Sequence, residues 1–141
     1  MTIIALLLST TLCRAAETKI KLKDAPAPVQ ATVNEQTKGA KLKRLVKNGA
    51  VYEAELTVNG RKKDVSMDAT GAVSEVEEEV ALKELPAAAK AAVEKAAEGG
   101  KILAVEAVSY GGPIAVYEAE IKKAGKKIQV RVDPSGNPAP K

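Results

Sequence analysis

The chain carries the same series of short motifs twice. Leu22-Lys23-Asp24-Ala25-Pro26 returns as Leu82-Lys83-Glu84-Leu85-Pro86. Val51-Tyr52-Glu53-Ala54-Glu55-Leu56 returns as Val116-Tyr117-Glu118-Ala119-Glu120-Ile121, and Asp68-Ala69-Thr70-Gly71 as Asp133-Pro134-Ser135-Gly136. The offset is 60 residues early in each unit and 65 later, the difference lying around Tyr110-Gly111-Gly112-Pro113. One supersecondary unit used twice limits the architecture before any single residue is read, and it leaves the chemistry open.

The local patterns give each unit a helix followed by strands. Pro26 opens a helix-compatible run to Lys38, with Val29 and Val33 four apart on one face and Gly39 at the stop. Pro86 opens a second helix over 87–98, rich in Ala, Lys and Glu, with Leu85, Ala89, Val93 and Ala96 as its apolar stripe and Gly99-Gly100 as its end. A short strand anchored by Leu42 and Leu45 runs to the turn dipeptide Asn48-Gly49. Asn59-Gly60 and Ala124-Gly125 are two-residue hairpin turns. Such turns fix the register: Tyr52 opposite Met67, Ala54 opposite Val65, Leu56 opposite Lys63, and Tyr117, Ala119 and Ile121 opposite Val132, Val130 and Ile128. A one-residue slip would put these apolar faces in water. The first unit ends in a strand over 73–80. The second meets Asn137-Pro138-Ala139-Pro140, and prolines cannot continue a ladder, so it lacks that strand.

The predicted fold class is therefore α+β. It has two tandem units, each one helix plus an antiparallel β meander, with the helices packed on one face of the sheet. The first unit covers 17–80, the second 81–136, and 137–141 form a disordered tail. With no Phe, no Trp and three Tyr in 141 residues, the core must be aliphatic. Charge is uneven: net +6 over 17–63, −6 over 64–100 and +3 over 101–141. A basic part beside an acidic one reads either as a polyanion-binding or self-associating surface, or as solvated Lys/Glu faces. Nucleic acid is excluded as a partner, because no aromatics are interleaved with the basic residues to stack on bases.

Residues 1–15 read as a secretory signal peptide. Thr2 to Leu8 is apolar but far short of the roughly 20 residues that span a bilayer, and Ala15-Ala16 supply small residues for cleavage. No Lys or Arg stands ahead of the apolar run, a departure from the usual pattern. Cleavage there removes Cys13, the only cysteine. The expected location is periplasmic or secreted, with no membrane-spanning segment in the mature chain.

The order of motifs resembles the PepSY-like family of secreted bacterial proteins. The resemblance is carried by Leu85-Pro86, Gly99, Tyr117 to Glu120, Gly125-Lys126, and the turn from Asp133 to Gly136. It covers 82–136 well and 22–80 more loosely, where Ala25 replaces the Leu and Pro28 disturbs the helix start. It implies a fold like the β-lactamase inhibitor protein and a role as a binding or inhibitory module of the cell envelope. No catalytic motif comes with it.

The residue inventory points the same way. There is no His, so no Ser-His or Cys-His pair, and no Gly-rich phosphate loop follows a strand. Zinc lacks its usual ligands. Glu75, Glu77 and Glu79 alternate with Val76 and Val80 and read as a solvated strand face rather than a Ca²⁺ site, and Asp68 and Asp133 as turn residues. No metal, cofactor or enzymatic activity is expected. Tyr52 and Tyr117 read as core. Two surfaces remain for a partner in the envelope or outside the cell. One is the loop of Tyr110, Gly111 and Gly112, an aromatic on a glycine-rich tip. The other is a basic surface with Lys62 and Lys63, together with Lys41, Lys43, Arg44, Lys47 and Arg61, which would suit a polyanion.

Overall fold

The computed structural model describes residues 17–140; the expected signal peptide and its cleavage region lie outside the described residues. Eight strands are described: β1 (Thr18–Ile20), β2 (Lys41–Asn48), β3 (Val51–Val58), β4 (Arg61–Met67), β5 (Val73–Glu79), β6 (Gly100–Ser109), β7 (Ile114–Lys123) and β8 (Lys126–Val132). Helix α1 (Ala27–Gln36) lies between β1 and β2, and α2 (Ala87–Ala96) between β5 and β6. A single 3₁₀ turn, Leu22–Asp24 or Leu82–Glu84, precedes each helix.

The expectation of two tandem helix-plus-meander units is corrected here. The strands form one eight-stranded antiparallel sheet in chain order, β1 to β8. The reason lies at the presumed boundary. β5 closes the first meander on β4, and its other edge pairs with β6 through Val76–Ser109, Glu77–Val108, Glu78–Ala107 and Glu79–Glu106. The Val80 N–H then donates to the Val105 carbonyl at 2.9 Å. An unpaired β5 edge would leave backbone donors and acceptors facing water, so the ladder continues through it.

The hairpin registers are as the turns require: Tyr52–Met67, Ala54–Val65 and Leu56–Lys63 in one, Tyr117–Val132, Ala119–Val130 and Ile121–Ile128 in the other. Asn59 and Ala124 take positive φ, 49° and 50°, each followed by a glycine in the same region. The strand expected to be short, β2, runs for eight residues and carries a bulge between Leu42 and Arg44; β6 has the matching irregularity between Ile102 and Ala104.

Two aliphatic clusters share one face of the sheet. Val29 and Val33 of α1 meet Leu45, Ala54, Leu56, Val65 and Met67. Ala89 and Val93 of α2 meet Val105, Ala119 and Ile121. Fully burying each such valine contributes about 1.5–3 kcal/mol. Tyr52 and Tyr117 are buried core residues, as their register predicts. Gly71 and Gly136 end the turns opened by Asp68 and Asp133. A Cβ at either would stand 2.6 Å from a helix carbonyl, of Pro28 or Ala88, so these turns press directly on the first turn of each helix. Asp68 Oδ1 accepts from the N–H of Thr70 and Ala72, and Asp133 Oδ1 from those of Ser135 and Asn137, the hydrogen bonds of a turn-opening aspartate.

Candidate binding face

Among the described residues, no helix covers the other face of the sheet. Residues adjacent to the core positions point there. One row across the strands is Glu55–Asp64–Glu77–Val108–Val116; the next includes Glu79–Glu106–Glu118–Arg131. Val46, Val108 and Val116 are buried on this face and form an aliphatic floor among the carboxylates.

The acidic rows are only partly neutralised. Arg44 pairs with Glu55, and that hydrogen bond and charge hold the Glu55 carboxyl below the usual range despite its burial. Lys62 Nζ reaches Asp64 Oδ2 at 2.6 Å and Glu106 Oε1 at 3.4 Å. Burial works against the Lys62 charge, but Asp64 and then Glu106 outweigh it and hold the ammonium above the usual lysine range. Arg131 Nε lies 3.3 Å from Glu118 Oε2, both side chains largely buried, and Gln129 also donates to Glu118.

Other acceptors remain unmet. Asp64 Oδ1 is buried with no hydrogen-bond partner among the described residues. Glu77 is half-buried. Desolvation, followed by the charges of Glu106, Glu75, Glu118 and Asp64, pushes its carboxyl up to about 7. Burial and the neighbouring Asp64 also raise Glu53. Carboxylate oxygens of Glu53, Glu55 and Asp64 lie within 4.8 Å of one another, as do those of Glu77, Glu106 and Glu118. Oxygen clusters of this kind suit hard cations. Here Arg44, Lys62 and Arg131 already occupy four of the six groups.

The sequence-predicted residues are distributed unevenly. Tyr110 is half exposed, at 52%, on the β6–β7 connection, and its hydroxyl accepts a 2.6 Å hydrogen bond from Arg131. The loop is therefore tied to the open face through Arg131 and Glu118. Gly111 takes φ 76°, which lets the tip turn. Lys62 lies on the same face, whereas Lys63 points to the helix side and pairs with Glu78 at 2.8 Å. The two lysines do not form one patch. Both line a recess of about 460 Å³ with Arg61, Glu78 and Glu79, where the acidic end of β5 offsets the basic start of β4. Sequence reasoning placed Glu75, Glu77 and Glu79 together correctly but read them as ordinary solvated groups. It missed the half-burial of Glu77 and the roles of Asp64, Glu106 and Arg131. The only available signal was the alternation of Glu55, Asp64 and Glu118 with core residues.

No protein-family model and no curated protein sequence matches the chain. Solved structures do. A candidate periplasmic protein of Bacteroides eggerthii superimposes with a TM-score of 0.74 at 21% identity, over 82% of this chain and 86% of that one. A DUF2874 family protein of Bacteroides uniformis gives 0.72 at 22%, over 82% and 87%. A BLIP-like protein of Bacteroides fragilis gives 0.67 at 21%, over 82% and 84%. No helix among the described residues is long and apolar enough to cross a membrane. At these identities the likeness establishes the fold alone: helices on one face of an antiparallel sheet, shared with these Bacteroides proteins, of which the B. fragilis one is described as BLIP-like.

Proposed function

We propose that the chain is a non-enzymatic binding protein of the cell envelope, periplasmic or secreted, that engages a protein partner through the helix-free face of its sheet. The observation that carries this reading is the pair of half-buried carboxyls on that face, Glu53 and Glu77, which hold no ion pair among the described residues and are raised by burial and by the carboxylates beside them. Lys or Arg side chains of a partner would supply hydrogen bonds and charge to groups that are already desolvated, and charge-assisted bonds of that kind are the stronger ones. Tyr110 at the border of the face is the aromatic anchor, a residue type enriched at interface centres. The names of the Bacteroides proteins of like fold and the PepSY-like motif order support the envelope setting, and an inhibitory or accessory role is the form such binding would take.

A polyanion surface on the basic first part of the chain has less support, because Arg44, Arg61, Lys62 and Lys63 each hold a carboxylate. The test is affinity capture from an envelope extract with the mature chain. Glu53→Lys with Glu77→Lys should abolish capture, and Tyr110→Ala should weaken it by more than about 1 kcal/mol with little change in melting temperature. Lys41→Glu with Lys43→Glu should leave it unchanged; loss of capture in that variant alone would transfer the contact to the basic surface.

A further inference from the structure

Among the described residues the last strand of the sheet has an open edge, and its sequence counterpart shows what fits there. β4 and β8 are matched at the 65-residue offset, Arg61 to Met67 against Lys126 to Val132. β4 is covered on its outer side by β5, with Val65 opposite Val76, Lys63 opposite Glu78 and Asp64 opposite Glu77. The Lys62 N–H also donates to Glu79 Oε2 at 3.1 Å. Beyond β8 the only pairing among the described residues is the Val132–Pro138 bridge, with the Ala139 N–H donating to the Arg131 carbonyl at 3.0 Å. That bond places the Arg131 backbone on the outer side. Alternate residues of an antiparallel strand point the same way, so the N–H and C=O of Gln129 and Lys127 also face outward. These four groups belong to exposed residues. Beside them, Ile128 is 40% exposed on the helix side, where the matched residue of β4 is the ion-paired Lys63.

We infer that the outer edge of β8 takes an added strand, and that the strand is an extended acidic segment of a partner protein. Exposed edges are templates for strand addition, with main-chain bonds giving affinity and side-chain pockets giving specificity. Charge selects the occupant. The basic end of β4 meets the carboxylates of β5, and β8 offers Lys126 at the same end, with Lys127 beside it in an exposed pair with Glu120 that an incoming carboxylate can share. A second copy would place the lysines of one β8 against Arg131 and Val132 of the other in a pairing centred on Gln129, which sets like charges together. The fitting segment alternates. It has apolar residues opposite Ile128 and Val130, continuing the helix-side cluster, and carboxylates opposite Gln129 and Lys127. The edge binds through backbone groups of β8, whereas the proposed protein-binding face centres on the side chains of Glu53 and Glu77, so either surface can fail without the other.

The probe is the capped peptide Ala-Val-Ser-Glu-Val-Glu-Val-Glu-Val, the sequence of residues 72–80 with valine in place of Glu78. It should bind the mature chain and slow amide exchange at Lys127 and Gln129. Gln129→Pro removes an outward N–H, a change that edge strands tolerate, and should weaken binding at least tenfold. Lys127→Glu should weaken it at least threefold. A version of the peptide with lysine in place of each glutamate should not bind. Absence of peptide binding would overturn the inference, as would equal binding of the lysine peptide or unchanged exchange at the two amides. Dimerisation of the unliganded chain that Gln129→Pro abolishes would assign the edge to a second copy and overturn the acidic segment. If Gln129→Pro does not fold, the wild-type exchange data and the charge-reversed peptide still decide.

Discussion

At the scale of single residues, Glu77 is the group whose environment departs furthest from what its neighbours in sequence suggest. Its carboxyl is pushed up to about 7 by desolvation and by Glu106, Glu75, Glu118 and Asp64. A carboxyl raised on folding binds its proton more tightly in the native state. Its contribution to stability is therefore greatest at low pH and is lost as pH rises from its unfolded value to beyond about 7. Glu77→Gln should raise the melting temperature at pH 8, by about 1 kcal/mol of stability after allowing for solvent screening, and have little effect at pH 5. Equal effects at both pH values would refute the assignment. The two turn glycines make a second residue-scale case. Gly136 has φ 84° and a carbonyl 2.6 Å from where a Cβ would stand, while Gly125 has φ 77° and open space around it. Alanine at 125 pays for the left-handed conformation alone, about 1 kcal/mol. Alanine at 136 must also displace α2, so chemical denaturation should show a loss about 1–3 kcal/mol larger.

At the scale of elements, the two hairpins were legible because several local signals agreed. The turn dipeptides set the register, and only one register buried Tyr52, Ala54, Leu56, Tyr117, Ala119 and Ile121 together. Helix stops were legible for the same kind of reason, since Gly39 and Gly99 take φ near 77° just past each helix. Ala119→Asp should destabilise by several kcal/mol, because Ala119 is fully buried against α2 and the charge would have no partner. Glu120→Lys removes only the exposed pair with Lys127 and should cost about 0.5 kcal/mol or less. Similar thermal shifts for the two would overturn the register. The candidate face was less legible. Lys62 and Lys63 are adjacent in sequence and read as one basic patch, yet the strand period sends them to opposite faces, each to a different carboxylate. The partners of Lys62 and Arg131, and the burial of Glu77, depend on which strands become neighbours. Local pattern does not specify that.

At the scale of the molecule, the seam between β5 and β6 decides how the chain behaves. The repeated motifs suggested two units, and the aliphatic residues do fall into two clusters, one under each helix. Nothing in the sequence of β5, Val-Ser-Glu-Val-Glu-Glu-Glu, announces a second strand neighbour, because its acidic alternation fits an edge strand equally well. What joins the halves is non-local. Four residue pairs link β5 to β6, the Val80 N–H bonds to Val105, and Lys62 crosses β5 to reach Glu106. Val80 and Leu82, next to the expected boundary, pack against the second cluster rather than the first. Cutting the chain near residue 80 would expose the β5 edge and remove these contacts together, so opening the seam carries the cost of several unpaired backbone groups. The chain should therefore unfold in one transition, with calorimetric and van't Hoff enthalpies equal, as small single domains do. Ala119→Asp should lower amide protection at Ala54 and Val65, in the first cluster, as much as at Val130 in the second. Two separate transitions, or loss of protection confined to 100–132, would mean that the seam does not couple the halves.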